Sequence, residues 1–336
     1  MKLSDFDYQL PQEAIAQYPL KKRDHARLMV LDRQRQEIIH DRFFNIGRYL
    51  PAKSLLVAND SKVVPARLLG RLERTGREVE IFLLSPLEGG SRYHALLRPL
   101  KKIRYEDTIV FEGTDLRATL IDHAQKIVQF NKKNVMAHLK KIGHMPLPPY
   151  IRRNDEKSDR KDYQTVYAKH PGSVAAPTAG LHFTNKILND LQKSGHRFGK
   201  VTLHVSYGTF RPVQENDITR HQMHFEDYSV SSAIMQRLKK AKAKGQKIVA
   251  VGTTSCRVLE SYAQSGKLAG STNLFVYPGF SFKMVDALLT NFHLPKSTLL
   301  MLVCGFASTD FVMKAYQEAI KEKYRFYSYG DCMLIL

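Results

Sequence analysis

Three short stretches of this 336-residue chain place hydroxyls, amides and imidazoles beside glycine or proline at the ends of apolar runs. Ala175-Ala176-Pro177-Thr178-Ala179-Gly180-Leu181-His182 carries a hydroxyl at Thr178 and an imidazole at His182. Gly252-Thr253-Thr254-Ser255-Cys256-Arg257 carries three hydroxyls and a guanidinium, and Thr290-Asn291-Phe292-His293-Leu294-Pro295 carries an amide and an imidazole. A fourth polar turn, Ser206-Tyr207-Gly208-Thr209-Phe210, follows His204 and adds Thr209. Such groups hydrogen-bond polar ligands and move protons, and imidazole is the side chain whose ordinary pKa lies nearest neutrality. A single histidine in such a turn is more often structural than catalytic. Three of them, His182, His204 and His293, at strand ends shift the balance toward function.

Other candidates need weighing. Arg257 falls in the first turn of a predicted helix, where the macrodipole disfavours a cation. Its ordinary fate would be to reach solvent, yet beside Thr253, Thr254 and Ser255 it would make a fork for a carboxylate or phosphate. His221-Gln222-Met223-His224-Phe225-Glu226 has helical spacing for two imidazoles and a carboxylate. No second cluster supports a metal there, so acid–base or structural roles for His224 and Glu226 are the readings kept. No G-x-G-x-x-G follows a strand, Gly195 to Gly199 has one residue too few for a phosphate loop, and no G-x-S-x-G elbow occurs, which disfavours dinucleotide, P-loop and serine-hydrolase sites.

The elements that must hold these residues follow from patterning. Thr184 stands where an N-cap opens the amphipathic segment Asn185 to Lys193, after a predicted strand at Val174 to Ala176. Lys247 to Val251 reads as a buried strand before a helix from Ser255 to Ala263, and Ser297 can cap an apolar helix from Thr298 to Phe306. Strand, polar turn and helix thus occur three times, at Thr178, Thr253 and Asn291. In a parallel sheet such turns share one edge, which would bring their polar groups together. Upstream, a helix is expected to open at Pro11, and Arg27 to Asp32 and Ser54 to Asp60 read as short strands. Between residues 61 and 144 the texture changes to six closely spaced strand-like segments, Val63 to Leu72, Glu78 to Leu84, Tyr93 to Leu97, Thr108 to Phe111, Leu116 to Ile121 and Lys126 to Phe130, which predict a small closed barrel. A helix over 134–142 and the stiff connector Met145 to Tyr150 lead out of it. Arg152 to Asp162 has too few apolar residues to pack and reads as an exposed, mobile loop.

Composition bounds the rest. Hydrophobic content of 43% with 25% charged residues is ordinary for a globular protein. Lys and Arg number 52 against 32 Asp and Glu, a net charge of +20 spread along the chain. A solubility charge is the plain reading, and a polyanion partner, nucleic acid foremost, is the functional one. Three scattered cysteines without a C-x-x-C argue against a disulfide framework or a zinc site and for a reducing cytoplasm. The acidic N-terminus lacks a signal-peptide run, and Leu299 to Ala307 is too short to span a bilayer, so no membrane is expected.

Taken together, the three turns, Asn59-Asp60-Ser61-Lys62-Val63-Val64-Pro65-Ala66-Arg67-Leu68, His204-Val205-Ser206-Tyr207-Gly208-Thr209-Phe210 and Tyr327-Ser328-Tyr329-Gly330-Asp331 resemble, in order and over essentially the whole chain, the S-adenosylmethionine:tRNA ribosyltransferase-isomerase family of queuosine biosynthesis. The resemblance implies an α/β fold: a larger, open barrel-like α/β domain, residues 1–60 and 145–336, with a small β-barrel domain, 61–144, inserted in it. It implies that S-adenosylmethionine acts as ribosyl donor and co-substrate, with no metal or other cofactor. The acceptor is the aminomethyl group of 7-aminomethyl-7-deazaguanine at the wobble position of a tRNA; epoxyqueuosine forms and adenine and methionine leave. A cytoplasmic monomer is expected.

On the matching motifs, His182, His204, His224 and Glu226 are the candidates for proton transfer, without assignment among them. Arg257 with Thr253 and Thr254 could hold the methionine carboxylate, Asn291 and His293 could address base or ribose, and Thr178 and Thr209 complete the binding set. The family pattern has a second glycine where Ser206 stands and an aspartate where Asn273 stands, which bears on pocket packing. Arg152, Arg153, Arg160 and Lys161 are candidate RNA contacts. Two other readings remain open: a non-Rossmann tRNA methyltransferase, which would release S-adenosylhomocysteine, and a non-catalytic RNA-binding protein, which would consume no S-adenosylmethionine.

Overall fold

The computed structural model describes residues 1–205 and 213–336. In place of the helix expected after Pro11, Gln12–Ala14 makes a single 3-10 turn; it buries no side chain, so nothing holds further turns together. Strand β1 (Arg27–Asp32) forms where its apolar run predicts it, and β2 (Glu37–Arg42), which has no such run, returns antiparallel beside it. Next come β3 (Leu55–Asn59) and the short β4 (Ser61–Val63).

The segment predicted as one strand over 63–72 is divided. Pro65 has no N–H to give a ladder, and the barrel strand β5 (Arg67–Leu72) starts only beyond it. With β6 (Glu78–Pro86), β7 (Arg92–Arg98), β8 (Thr108–Val110), β9 (Arg117–Asp122) and β10 (Ile127–Phe130) it closes the expected six-stranded barrel in the order β10-β7-β6-β5-β8-β9. Alternate residues, among them Leu68, Ile81, Ile109, Leu120 and Val128, fill its interior. Helix α1 (Val135–Ile142), capped by the Asn134 side chain, carries the chain back out.

The stretch from Arg152 to Asp162 corrects the expectation of a mobile loop. Most of it is exposed, but it ends in the one-turn helix α2 (Asp159–Asp162), and Asp159 is fully buried. That carboxylate accepts from Arg153 Nη1 at 2.7 Å, from Arg153 Nη2 at 2.8 Å and from the Tyr329 hydroxyl at 2.8 Å. A two-pronged charged pair in a buried setting fixes the backbone around it.

Strand β11 (His170–Ser173) pairs in parallel with β4, so the strand expected at Val174 to Ala176 lies a few residues earlier and Val174 to Ala176 is buried coil. Helix α3 (Asn185–Lys193) starts at its Thr184 cap, as predicted. The remaining order is β12 (Arg197–Leu203), β13 (Glu226–Ser229), α4 (Ser232–Ala243), β14 (Ile248–Val251), α5 (Thr253–Ser265), β15 (Ala269–Thr272), β16 (Ala287–Asn291), α6 (Thr298–Ala307), α7 (Thr309–Lys321) and β17 (Cys332–Ile335). These join a nine-stranded sheet ordered β15-β13-β12-β3-β14-β16-β17-β1-β2, in which β12, β3, β14 and β16 run parallel. Strand β3 precedes the barrel yet lies between β12 and β14, which follow it. The chain therefore builds one α/β unit from both sides of the barrel.

Side-chain alternation sorts the sheet into two layers. Leu55 and Val57 of β3 join the core under α4 to α7, whereas Leu56 and Ala58 join Ile187 and Leu191 of α3 on the other face. The apolar run at 299–307 is the buried α6, and among the described residues no single helix is long and apolar enough to cross a membrane.

Candidate functional site

One cleft gathers the three polar turns. It is lined by Thr178, by Gly252, Thr253 and Thr254, and by Thr290, Asn291, Phe292 and His293, with Tyr150, Ser297 and Ser328 completing the polar wall. The expectation that all three turns follow strands of one sheet needs correction. Those at Thr253 and Asn291 end the parallel neighbours β14 and β16, but Thr178 opens a 3-10 turn, Thr178–His182, reached through coil.

Each turn has a local reason for its shape. Gly252 holds φ +88, a conformation that suits glycine, and this lets β14 turn directly into α5 while Gly252 N–H donates to Leu289 O at 2.7 Å. The first turn of α5 thereby opens at the cleft with its unsatisfied N–H groups. Thr254 Oγ1 is buried there with no hydrogen-bond partner. Ser297 closes another side, accepting from Leu300 N–H at 3.2 Å as the cap of α6.

Asn291 is tied from three directions. Its Nδ2 donates toward Tyr327 O at 3.3 Å, Asp331 O at 3.1 Å and His182 Nε2 at 3.2 Å. Three acceptors fix which end of the amide is nitrogen, and they leave Oδ1, also buried, without a partner. Because His182 Nε2 accepts, its ring proton belongs on Nδ1, and burial lowers its pKa to about 4. His293 is likewise neutral: burial lowers its pKa to about 3, its Nε2 lies 2.8 Å from Thr290 Oγ1, and its backbone is held by the Tyr316 and Tyr8 hydroxyls.

The sequence candidates divide accordingly. Thr178, Thr253, Thr254, Asn291 and His293 converge on the cleft. Thr209 lies outside the described residues. His182 stands behind Asn291 rather than in the cleft wall. Arg257 sits one turn deeper in α5 than expected, since that helix begins at Thr253; its Nη1 pairs with the buried Glu226 and its Nε donates to Leu274 O at 3.0 Å. Neither partner lines the cleft: both side chains are buried, and the ion pair ties α5 to β13. His224 is exposed and lies outside any helix, so the helical chelate expected of His221, His224 and Glu226 does not form.

His204 is half-buried one residue before Val205, which lines the cleft. Its Nδ1 is buried without a partner against Gly172, and burial lowers its pKa despite the nearby Asp227 and Asp60 carboxylates. Beside it, Asp60 Oδ2 lies 3.7 Å from His170 Nε2 while Asp60 Oδ1 accepts from Thr202 Oγ1 at 2.7 Å. Tyr150, Ser297 and Ser328 line the cleft without having been legible as site residues from pattern alone. Only Ser328 carried a signal, through the Tyr327 to Asp331 motif.

A family profile described as queuosine biosynthesis protein matches residues 3–335. The S-adenosylmethionine:tRNA ribosyltransferase-isomerase of Sulfurihydrogenibium sp. is 48% identical over 338 residues, covering all of both chains. Its counterpart in Carboxydothermus hydrogenoformans is 47% identical over 342 residues, again covering both completely. Among solved structures, an S-adenosylmethionine tRNA ribosyltransferase from Thermotoga maritima matches 99% of this chain at 40% identity, with a TM-score of 0.58.

Proposed function

The chain belongs to the queuosine biosynthesis family of S-adenosylmethionine:tRNA ribosyltransferase-isomerases, and from that premise we propose that its cleft holds S-adenosylmethionine as the donor. The ribosyl unit passes, with rearrangement, to the aminomethyl nitrogen of 7-aminomethyl-7-deazaguanine in tRNA, and adenine and methionine depart. The observation that carries the donor site is the pair of buried, unpartnered oxygens, Asn291 Oδ1 and Thr254 Oγ1, in one cleft wall. A buried acceptor without a donor costs about 1–3 kcal/mol, and a ligand bringing amino or hydroxyl hydrogens removes that cost.

The cleft contains no charged side chain among its described lining residues. The first turn of α5, with Thr253 and Thr254, therefore replaces Arg257 as the group that receives the methionine carboxylate, through free N–H groups and the positive end of the helix dipole. His293 and Asn291 address the base or ribose as neutral hydrogen-bonding groups. The sulfonium acidifies the protons of the adjoining ribose carbon, so a base of modest strength can take one. His204 suits that role best of the four candidates: its ring is next in sequence to the cleft wall, it has a free nitrogen, and burial favours its neutral, accepting form. The departing adenine must gain a proton, whereas the amine attacks in its neutral form and loses a proton once the new C–N bond is made.

The reading calls for no metal or redox cofactor, and for action as a monomer in the cytoplasm without a membrane. Isothermal titration with S-adenosylmethionine tests the donor site directly. Thr254→Val keeps the shape and removes the hydroxyl, which can both donate and accept, and binding at least tenfold weaker than wild type is expected. Equal affinity would remove this cleft as the donor site.

A further inference from the structure

A second cavity lies behind the cleft. It is lined by Lys21, Arg23, Lys161, Asp162, His182 and Ser328 together with residues of the 328–330 turn. Two features make it the neighbour of the donor cleft: Ser328 lines both, and the Asn291–His182 hydrogen bond stands between them.

Its charge is one-sided. Arg23 Nη1 donates to Gln164 O at 3.0 Å and its Nη2 lies 4.0 Å from Asp162 Oδ1, so the single carboxylate is loosely matched by one cation. Lys21 and Lys161 are exposed at the mouth and make no ion pair among the described residues. His182 is neutral and adds no charge. Two ammonium groups thus remain uncompensated around a concave site that opens to solvent, a setting that concentrates anions.

We propose that this cavity is a phosphate subsite, taking a backbone phosphate of the RNA at or next to the nucleotide that carries the acceptor amine; this rests on the function proposed above. In an anti purine nucleotide the 7-substituent lies on the side of its own 5′-phosphate. An acceptor amine directed at the donor ribose therefore carries a phosphate alongside, and a cationic cavity one side chain away from the donor cleft is placed to receive it. The donor's own carboxylate is the other anion available. The Asn291–His182 partition separates it from the lysines, and the N-terminus of α5 already serves it.

The test compares wild type, Lys21→Ala/Lys161→Ala and Lys21→Arg/Lys161→Arg, with Lys244→Ala, an exposed lysine at the C-cap of α4 that does not line the cavity, as a control for general loss of charge. Steady-state transfer to precursor tRNA is measured together with the salt dependence of tRNA binding. The alanine pair is expected to raise the KM for tRNA roughly tenfold or more, to leave that for S-adenosylmethionine unchanged, and to flatten the salt slope by about 0.7–0.9, the share of one phosphate. The arginine pair should restore both. A tRNA KM and salt slope equal to wild type would overturn the subsite, as would an equal effect from Lys244→Ala or an effect confined to the KM for S-adenosylmethionine. Failure of the wild type itself to modify tRNA would remove the functional reading and this inference with it, whereas activity in wild type with an unaltered alanine pair removes the inference alone.

Discussion

Asn291 donates its side-chain amide to His182 Nε2 across 3.2 Å, and that bond both orients Asn291 Oδ1 for the donor cleft and fixes the tautomer of the imidazole behind it. Asn291→Ala would leave His182 Nε2 without its donor and take one from Asp331 O, while Tyr327 O keeps the Gly330 N–H at 2.9 Å. A stability loss of about 3 kcal/mol is expected from denaturant unfolding, with weaker S-adenosylmethionine binding in the fraction that remains folded. Asn291→Ala with wild-type stability would show that the network does not hold this end of the sheet.

Gly172 supports His204 from below. It holds φ +137, and a Cβ there would lie 3.0 Å from His204 Nδ1. Gly172→Ala is therefore expected to strain the backbone by roughly 1–3 kcal/mol and to push the imidazole off its position. Turnover should fall by at least tenfold while S-adenosylmethionine still binds. If turnover persists unchanged, His204 is not the base.

The buried pair of Arg257 and Glu226 is a matter of stability more than of ligand binding. Arg257→Ala breaks a buried charged pair and is expected to cost about 3–5 kcal/mol, while the apolar pair Arg257→Met/Glu226→Leu should recover most of it. Thermal unfolding of the three proteins checks this. A selective loss of S-adenosylmethionine affinity in Arg257→Ala, at wild-type stability, would return Arg257 to the carboxylate.

Two histidines set the acid side of the stability curve. His182 and His293 have folded-state pKa values lowered to about 4 and 3, against an ordinary value near 6.5. The unfolded chain therefore binds more protons once the pH falls below about 6.5, and each group removes up to about 1.4 kcal/mol per pH unit down to its folded value. The lowered carboxyl of Asp159 acts in the same direction at lower pH. Urea unfolding should show level stability from pH 8 to 7 and a decline from pH 6 to 4. A flat profile to pH 4.5 would mean that these imidazoles are hydrated in the folded protein.

The barrel was legible because its strands are short, alternating and separated by turn residues, and the Thr184, Asn134 and Ser297 caps were legible because a cap needs one side chain and one neighbour. The convergence of Thr253, Thr254, Asn291 and His293 followed from the rule that parallel strands present their carboxyl ends together. What failed depended on distant partners. No local pattern announces that Arg153 and Tyr329 will fix Asp159, or that Glu226 on β13 will claim Arg257. The exposed His170 and the cavity behind Asn291 are likewise assembled from segments far apart in the chain.

Ribosyl transfer leaves products that no other use of S-adenosylmethionine gives, and one product analysis tests for it. Wild-type protein is incubated with S-adenosylmethionine labelled in the ribose and with tRNA bearing 7-aminomethyl-7-deazaguanine, and nucleosides and small molecules are analysed by mass. Label in the tRNA, with free adenine and methionine in equal amounts, is the expected result. S-adenosylhomocysteine in place of adenine would mean methylation, and unconsumed S-adenosylmethionine with bound tRNA would mean a binding protein; either would contradict the account.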